Sequence, residues 1–193
     1  MGSGRDDPRP EHKHSIRRKF HRQLKRLWET TWLKEAKHGL YVNAPDIHPD
    51  LPMRAGLAQR YKTGAYRFVP LVREELALLC SLKILFLRPD PPGTLIRSAD
   101  LDSRLKTLFD ALKMPVEKSQ IGRCQTPDAD EDPFYCLLED DKLISHVSVE
   151  TDTLLEPTAE GLTGNQAKND ARLVIDVLVR PYTLTHGNIG FGA

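Results

Sequence analysis

The sequence predicts an α/β (α+β) fold, a single domain on a small mixed β-sheet with helices, preceded by a helical extension. Three observations predict it. Apolar residues recur every three to four positions over 11–37 and again over 100–113, the helical period. Shorter stretches at 65–72, 76–88, 142–152 and 171–181 have the apolar content and alternation of strands. Their order, strand, strand, helix, strand, strand without an internal repeat, suits one layered domain. A chain of 193 residues, 39% hydrophobic and 28% charged, is long enough to bury one good core.

Each element has its local reason. Over 11–37, Ile16, Phe20, Leu24, Leu27, Trp28 and Thr31 form one apolar face, Arg17, Arg18, Lys19, Arg22, Lys25 and Arg26 cover most of the rest, and Gly39 can cap the helix. The prolines of NAPDIHPDLPMRAG forbid a regular helix or a central strand and predict a long surface loop. AYRFVPLV, 65–72, reads as an edge strand, because Pro70 has no N–H to donate. Over 76–88 a long strand, or a strand with a bulge, sets Leu82, Ile84 and Phe86 on one side and Lys83, Leu85 and Leu87 on the other. Leu101, Leu105, Leu108, Phe109 and Leu112 space the helix over 100–113. The polar, proline-punctuated segment after it, about 115–138, predicts a loop too long to be a mere connection. KLISHVSVETD and ARLVIDVLVRP are strands separated by the loop PTAEGLTGNQAKND, and the glycine-rich end predicts a flexible tail over 184–193.

Charge and cysteine content bound the class. No apolar run approaches the roughly twenty residues of a membrane helix. The longest, 76–87, carries Lys83, and the N-terminus has no signal-peptide core, so no membrane association and a cytoplasmic location are expected. Cys80, Cys124 and Cys136 are odd in number and lack CxxC spacing. Cys80 reads as a small core residue; Cys124, Cys136 and His146 match no zinc pattern. Net charge is only +1, but residues 1–40 hold eleven Lys/Arg against five Asp/Glu, so a basic arm precedes an acidic body.

The chemistry concentrates in ADLDSRLKTLFDALKMP, 99–115. Positions two apart on a helix diverge by about 200°, whereas on an extended segment they share a face. Asp100 and Asp102 therefore converge only if Asp100 is still extended and the helix starts at or after Asp102. An aspartate caps such a start well, and the macrodipole favours negative charge there. Capping accounts for one aspartate and leaves the other. Lys106 and Asp110 continue the stripe in steps of four, which on its own could be a surface ladder worth about a few tenths of a kcal/mol per pair. Glu139, Asp140 and Asp141 then stand just before a strand. Carboxylates from a helix start and a strand start, brought together, make a hard oxygen site suited to Mg²⁺. A neighbouring lysine would stabilise phosphoryl charge or orient water.

In order and spacing, DLDSRLKTLFDAL followed by DDKLI resembles the RusA family of Holliday-junction resolvases, over roughly residues 65–182. The resemblance implies that Asp100 and Asp102 are metal-binding aspartates, that Asp141 is the third catalytic acid with Asp140 in support, and that Lys106 is the essential lysine. It further implies a nuclease domain over 39–183 and a Mg²⁺-dependent enzyme, with Mn²⁺ as a substitute. Such an enzyme is a homodimer that nicks the strands of branched DNA at a four-way junction in pairs, in a bacterial or phage-derived setting. Three features depart from the family pattern. Ser103 stands in place of the usual Asn, the gap before Asp140 is long and contains DADED, and the basic helix over 11–38 lies outside the family core.

That helix has more than one reading. It can pack by its apolar stripe with the cations solvated, it can bind a partner, or Arg17, Arg18, Lys19, Arg22, Lys25 and Arg26, joined by Arg104, can neutralise DNA phosphates. Trp28 and Trp32 could stack on bases, or serve as core or dimer contacts. Residues 1–10 are expected to be disordered. For the whole chain, a noncatalytic DNA- or partner-binding module on the same fold and a metal-dependent nucleotide-cleaving enzyme are the alternatives to a junction nuclease.

Overall fold

The computed structural model describes residues 9–41, 47–89, 91, 100–159 and 170–191, without the side chains of Arg9, Tyr41 and Asp100. Residues 1–8 of the expected disordered end and most of the loop before the last strand lie outside the described residues. The fold is α+β, as the sequence predicts. Among the described residues the helices are α1 (Arg9–Thr30), α2 (His38–Tyr41), α3 (Met53–Arg60) and α4 (Asp100–Leu112). The strands are β1 (Lys62–Thr63), β2 (Tyr66–Val72), β3 (Leu78–Arg88), β4 (Phe134–Leu138), β5 (Ile144–Thr153) and β6 (Arg172–Pro181). They form two three-stranded sheets, ordered β1-β2-β4 and β5-β3-β6. The chain divides into two compact units, Met1–Leu79 with Thr107–Leu143 and Arg180–Ala193, and Cys80–Lys106 with Ile144–Val179.

In the first unit the expected long N-terminal helix is interrupted. The Thr30 and Thr31 hydroxyls donate to the Arg26 and Leu27 carbonyls, both at 2.8 Å, and Thr31 turns extended ahead of a 3₁₀ turn at Trp32–Lys34. Such back-bonding by threonine competes with the helical ladder. The buried face also differs from the expected apolar stripe. His14, Arg17, His21 and Trp28 are the buried residues of α1, whereas Leu27 is exposed and Ile16, Phe20 and Leu24 are half-buried. A polar seam can be buried here because the elements packed against it satisfy its hydrogen bonds. Trp28 lies 6.0 Å from the Tyr135 ring, and Trp32 packs edge-on against Phe191. The first is a core residue rather than a base-stacking platform.

The helix α3 begins directly after Pro52, inside the segment expected to be irregular, and packs Met53 and Leu57 fully buried against β2. A Cβ on Gly56 would lie 1.8 Å from Nδ1 and 2.4 Å from Cγ of the buried His38 ring. Gly56→Ala is expected to destabilise the protein by about 2–3 kcal/mol, measured by urea unfolding; a change below about 0.5 kcal/mol would show that the ring moves aside freely. A two-residue hairpin with Gly64 at φ +64° joins β1 to β2. Strand β2 pairs parallel with β4, Phe68 opposite Phe134 and Val72 opposite Leu138. Pro70 is tolerated because, after the Phe68 N–H donates to the Tyr61 carbonyl at 2.8 Å, no strand among the described residues pairs with β2 on the β1 side. The core gathers Tyr66, Phe68, Phe134, Ile121 and Leu138 around Trp28 and Met53, all essentially inaccessible. Each stabilises by roughly 1.5–3 kcal/mol through apolar burial.

Of the tail expected to be flexible over 184–193, residues 184–191 are described and are tied to the chain before them, while 192–193 lie outside the described residues. Asn188 is wholly buried: its side-chain amide donates to the Leu76 and Thr183 carbonyls at 2.8 and 2.7 Å and its oxygen accepts the Thr185 N–H. A 3₁₀ turn at Ile189–Phe191 follows.

The second unit carries the sheet β5-β3-β6. As the alternation predicts, Cys80, Leu82, Ile84 and Phe86 of β3 are buried while Lys83 is exposed and pairs with Glu150 of β5 at 3.4 Å. Strands β3 and β5 run parallel with a register shift between Cys80 and Ser81, the bulge the sequence allowed for.

Candidate active site and basic helix

The DxD motif opens α4. The helix begins at Asp100 itself, not at or after Asp102, so the extended start that would bring the two aspartates to one face is not adopted. The side chain of Asp100 lies outside the described residues. Asp102 and Lys106 are exposed on the first half of the helix, and Arg104 is half-buried. The three belong to the second unit.

In the first unit, the other half of α4 carries a chain of charges. Lys13 donates to Asp110 at 2.7 Å, Lys113 lies 3.4 Å from the other Asp110 oxygen, and Lys113 also donates to Asp141 at 3.1 Å. Asp110 is thus partnered by Lys13 and Lys113 rather than serving as the end of a simple ladder from Asp102. Burial pushes the Asp110 pKa up, but the two lysines outweigh it and hold the carboxyl below its ordinary range. Burial likewise lowers that of Lys113, and Asp141 and Asp110 more than restore it, so the ammonium is held charged. The backbone fixes this geometry: the Met114 N–H donates to the Leu138 carbonyl at 2.9 Å, docking the end of α4 beside the end of β4.

The three acids of EDDK have different surroundings. Glu139 accepts the Glu74 N–H at 3.0 Å and the Tyr61 hydroxyl at 3.2 Å, a structural role. Asp140 accepts the Lys142 N–H at 2.9 Å, bracing a 3₁₀ turn at Asp141–Leu143 that leads into β5. That N–H, followed by a hydrogen bond with Asp141 and the charges of Lys113 and Lys142, outweighs burial and lowers the Asp140 pKa. Asp141 is half-buried and held by Lys113. Carboxylate oxygens are the donors Mg²⁺ takes, which fits Asp102, Asp140 and Asp141 by type. Among the described residues no three His, Cys, Asp or Glu side chains stand together as a metal-ligating group.

The seven basic residues assigned to nucleic acid separate into distinct environments. Arg17 leaves the exposed face. It is 3% accessible, and its guanidinium donates to the Lys113 carbonyl at 3.2 Å and the Asp110 carbonyl at 2.8 Å, the carbonyl end of α4. Arg18 donates from Nη2 to the buried Glu131 at 3.0 Å, its Nε lies 2.7 Å from the other carboxylate oxygen as an ion pair, and the guanidinium reaches Asp128 at 3.4 Å. Lys25 donates to the Asp130 carbonyl at 3.0 Å. Lys19, Arg22 and Arg26 are exposed. The acidic DADED stretch is therefore the partner of the basic helix within one unit, and Asp132 is held separately by a bidentate pair with Arg67 at 2.7 and 2.6 Å. Arg18→Met leaves a buried carboxylate without its cation and is expected to cost about 3 kcal/mol of stability. Lys19→Met is expected to change stability by less than about 0.5 kcal/mol. Equal unfolding free energies for the two variants would refute this division.

Two histidines that the sequence reading did not single out complete the seam. The Tyr135 N–H donates to His21 Nδ1 at 2.9 Å, so Nε2 carries the proton and donates to the Asp130 carbonyl at 3.1 Å. Arg17 donates to His14 Nδ1 at 3.2 Å; Tyr66 donates to the Thr126 carbonyl at 3.0 Å and accepts from His14 Nε2 at 3.3 Å. Both rings are neutral. Burial, then the charges of Arg17 and Arg18, lower the His14 pKa to about 4. Cys80 and Cys136 are buried, Cys124 half-buried, and all three are free thiols. No helix among the described residues is long and apolar enough to cross a membrane. No protein-family model, no curated protein and no solved structure matches the chain.

Proposed function

We propose that the protein is a Mg²⁺-dependent, structure-selective endodeoxyribonuclease of the RusA type, acting on four-way DNA junctions by paired nicks. One observation carries the reading: each acidic motif lies in the opening turn of its element, Asp100 and Asp102 at the start of α4 and Asp140–Asp141 at the turn that leads into β5. Asp100, Asp102 and Asp141 are the ligands we assign to the metal, with Asp140 in support. Bound Mg²⁺, or Mn²⁺ in its place, would polarise the phosphate and lower the pKa of the attacking water. Lys106 would neutralise charge that develops on the phosphoryl oxygens. Lys113 acts on this reading by orienting Asp141, to which it donates at 3.1 Å. Hydrolysis would leave 5′-phosphate and 3′-hydroxyl ends, and two cuts across one junction call for two copies of the chain.

A noncatalytic DNA-binding module is the second reading, favoured by Lys19, Arg22 and Arg26, which remain exposed on α1. Incubation with labelled four-way junction, linear duplex and single strand in Mg²⁺ separates the two. Cuts confined to the junction support the nuclease; junction binding without cuts in Mg²⁺ or Mn²⁺ supports the module. Equal cutting of every substrate would instead point to a less selective metal-dependent nucleotide-cleaving enzyme.

A further inference from the structure

We propose that the cleft where α1 meets the end of α4 is a binding site for a phosphate group. It encloses about 240 Å³ and is lined by Lys13, Arg17, Asp110, Lys113, Ser119 and Gln120, all in the first unit. Three of these side chains are cations and one is an anion, so the lining carries excess positive charge. Arg17 is the decisive member. It is buried, burial lowers its pKa, and among the described residues it makes no ion pair with a carboxylate. Its partners are two main-chain carbonyls and the neutral His14 ring, which take three of its five N–H groups. A buried guanidinium that pairs directly with no carboxylate is costly, and the charge of nearby Asp110 and the carbonyl end of α4 offset that cost only in part.

The other lining groups have the same bias toward donation. The Gln120 side-chain oxygen is occupied by the Val116 and Glu117 N–H groups at 2.8 and 3.5 Å, which leaves its NH₂ for a ligand. Lys13 and Lys113 add ammonium groups beside Asp110. A cleft rich in donors, floored by a buried guanidinium and flanked by lysines, suits a tetrahedral oxyanion. The phosphate could belong to a DNA backbone or to a free phosphate ester; the chemistry is the same. The site is built by α1, the end of α4 and the turn after it; it shares Lys113 with Asp141 but contains none of the assigned metal ligands, so binding is measured without metal.

The test is calorimetric titration of the full chain in EDTA, once with inorganic phosphate and once with an unphosphorylated eight-residue oligothymidylate. Saturable binding of phosphate is expected, weakened about tenfold in Lys13→Met, tightened in Asp110→Asn, which removes the only anion of the lining, and unchanged in the exposed control Lys34→Met. Competition between oligonucleotide and phosphate identifies the DNA backbone as the source; phosphate binding alone identifies a free phosphate ester. Absence of saturable binding with either probe, or affinities in Lys13→Met and Asp110→Asn equal to that of the unaltered chain, would overturn the proposal. Weakened binding in Asp110→Asn would also overturn it. Since the titration contains no divalent metal, its failure and a failure to cleave DNA are separate results.

Discussion

Asp102→Asn is expected to slow junction cleavage by about a thousandfold while binding the junction as tightly as the unaltered chain, or more tightly. The substitution keeps the size of the side chain and removes one ligand oxygen's charge, together with its repulsion of DNA. Asp102 is exposed on the first turn of α4, so little packing depends on it. Its unfolding free energy should therefore stay within about 0.5 kcal/mol of the parent. Cleavage kinetics, junction affinity and urea unfolding on one preparation check all three expectations. Loss of binding and stability together with cleavage would make the aspartate a structural residue.

The second large effect is on acid stability. His14 titrates near 4 in the folded protein against an ordinary 6.5. Its folded-state pKa is depressed, so the unfolded chain takes up the proton first as the pH falls. The contribution is complete above pH 6.5 and is lost as the pH approaches 4, a loss of about 3 kcal/mol. Burial of His21, opposed by the Asp130 carbonyl and Glu131, shifts it in the same direction. Protonation would put positive charge beside Arg17 and Arg18 and remove the acceptor that Arg17 uses on His14. Urea unfolding of the parent between pH 7 and pH 4 should show a stability loss that exceeds the loss in His14→Gln by about that amount. Parallel pH profiles for the two proteins would refute the assignment of His14 as a buried neutral ring.

What could be read in the sequence depended on the kind of pattern each element leaves. Strands β3, β5 and β6 were legible because one side of each is more open than the other, and alternation records that. Strand β4 was missed. FYCLL is buried at every position, as a strand covered on both faces is, so it has no alternation to detect. Its two leading aromatic residues and the proline before it were the available signal. The helix α1 was legible in extent but not in its packing face, because burial of His14, Arg17 and His21 depends on partners about a hundred residues away. The same distance concealed Lys13 and the pairing of DADED with Arg18, and Lys113 meets Asp141 across 28 residues. Of the candidate site, the motifs at the starts of α4 and β5 were legible from local spacing, whereas the charges that hold Asp110 and Asp141 came from folding.

A supercoiled plasmid that extrudes a cruciform offers the most direct measurement of the central claim. Paired nicks across the four-way junction convert it to a linear molecule; a single nick only relaxes it to an open circle. The expected result is linear product when Mg²⁺ is added to the protein–plasmid complex, and intact supercoiled plasmid in EDTA. Plasmid that stays supercoiled in both Mg²⁺ and Mn²⁺, although the protein is bound to it, would contradict a junction-resolving nuclease.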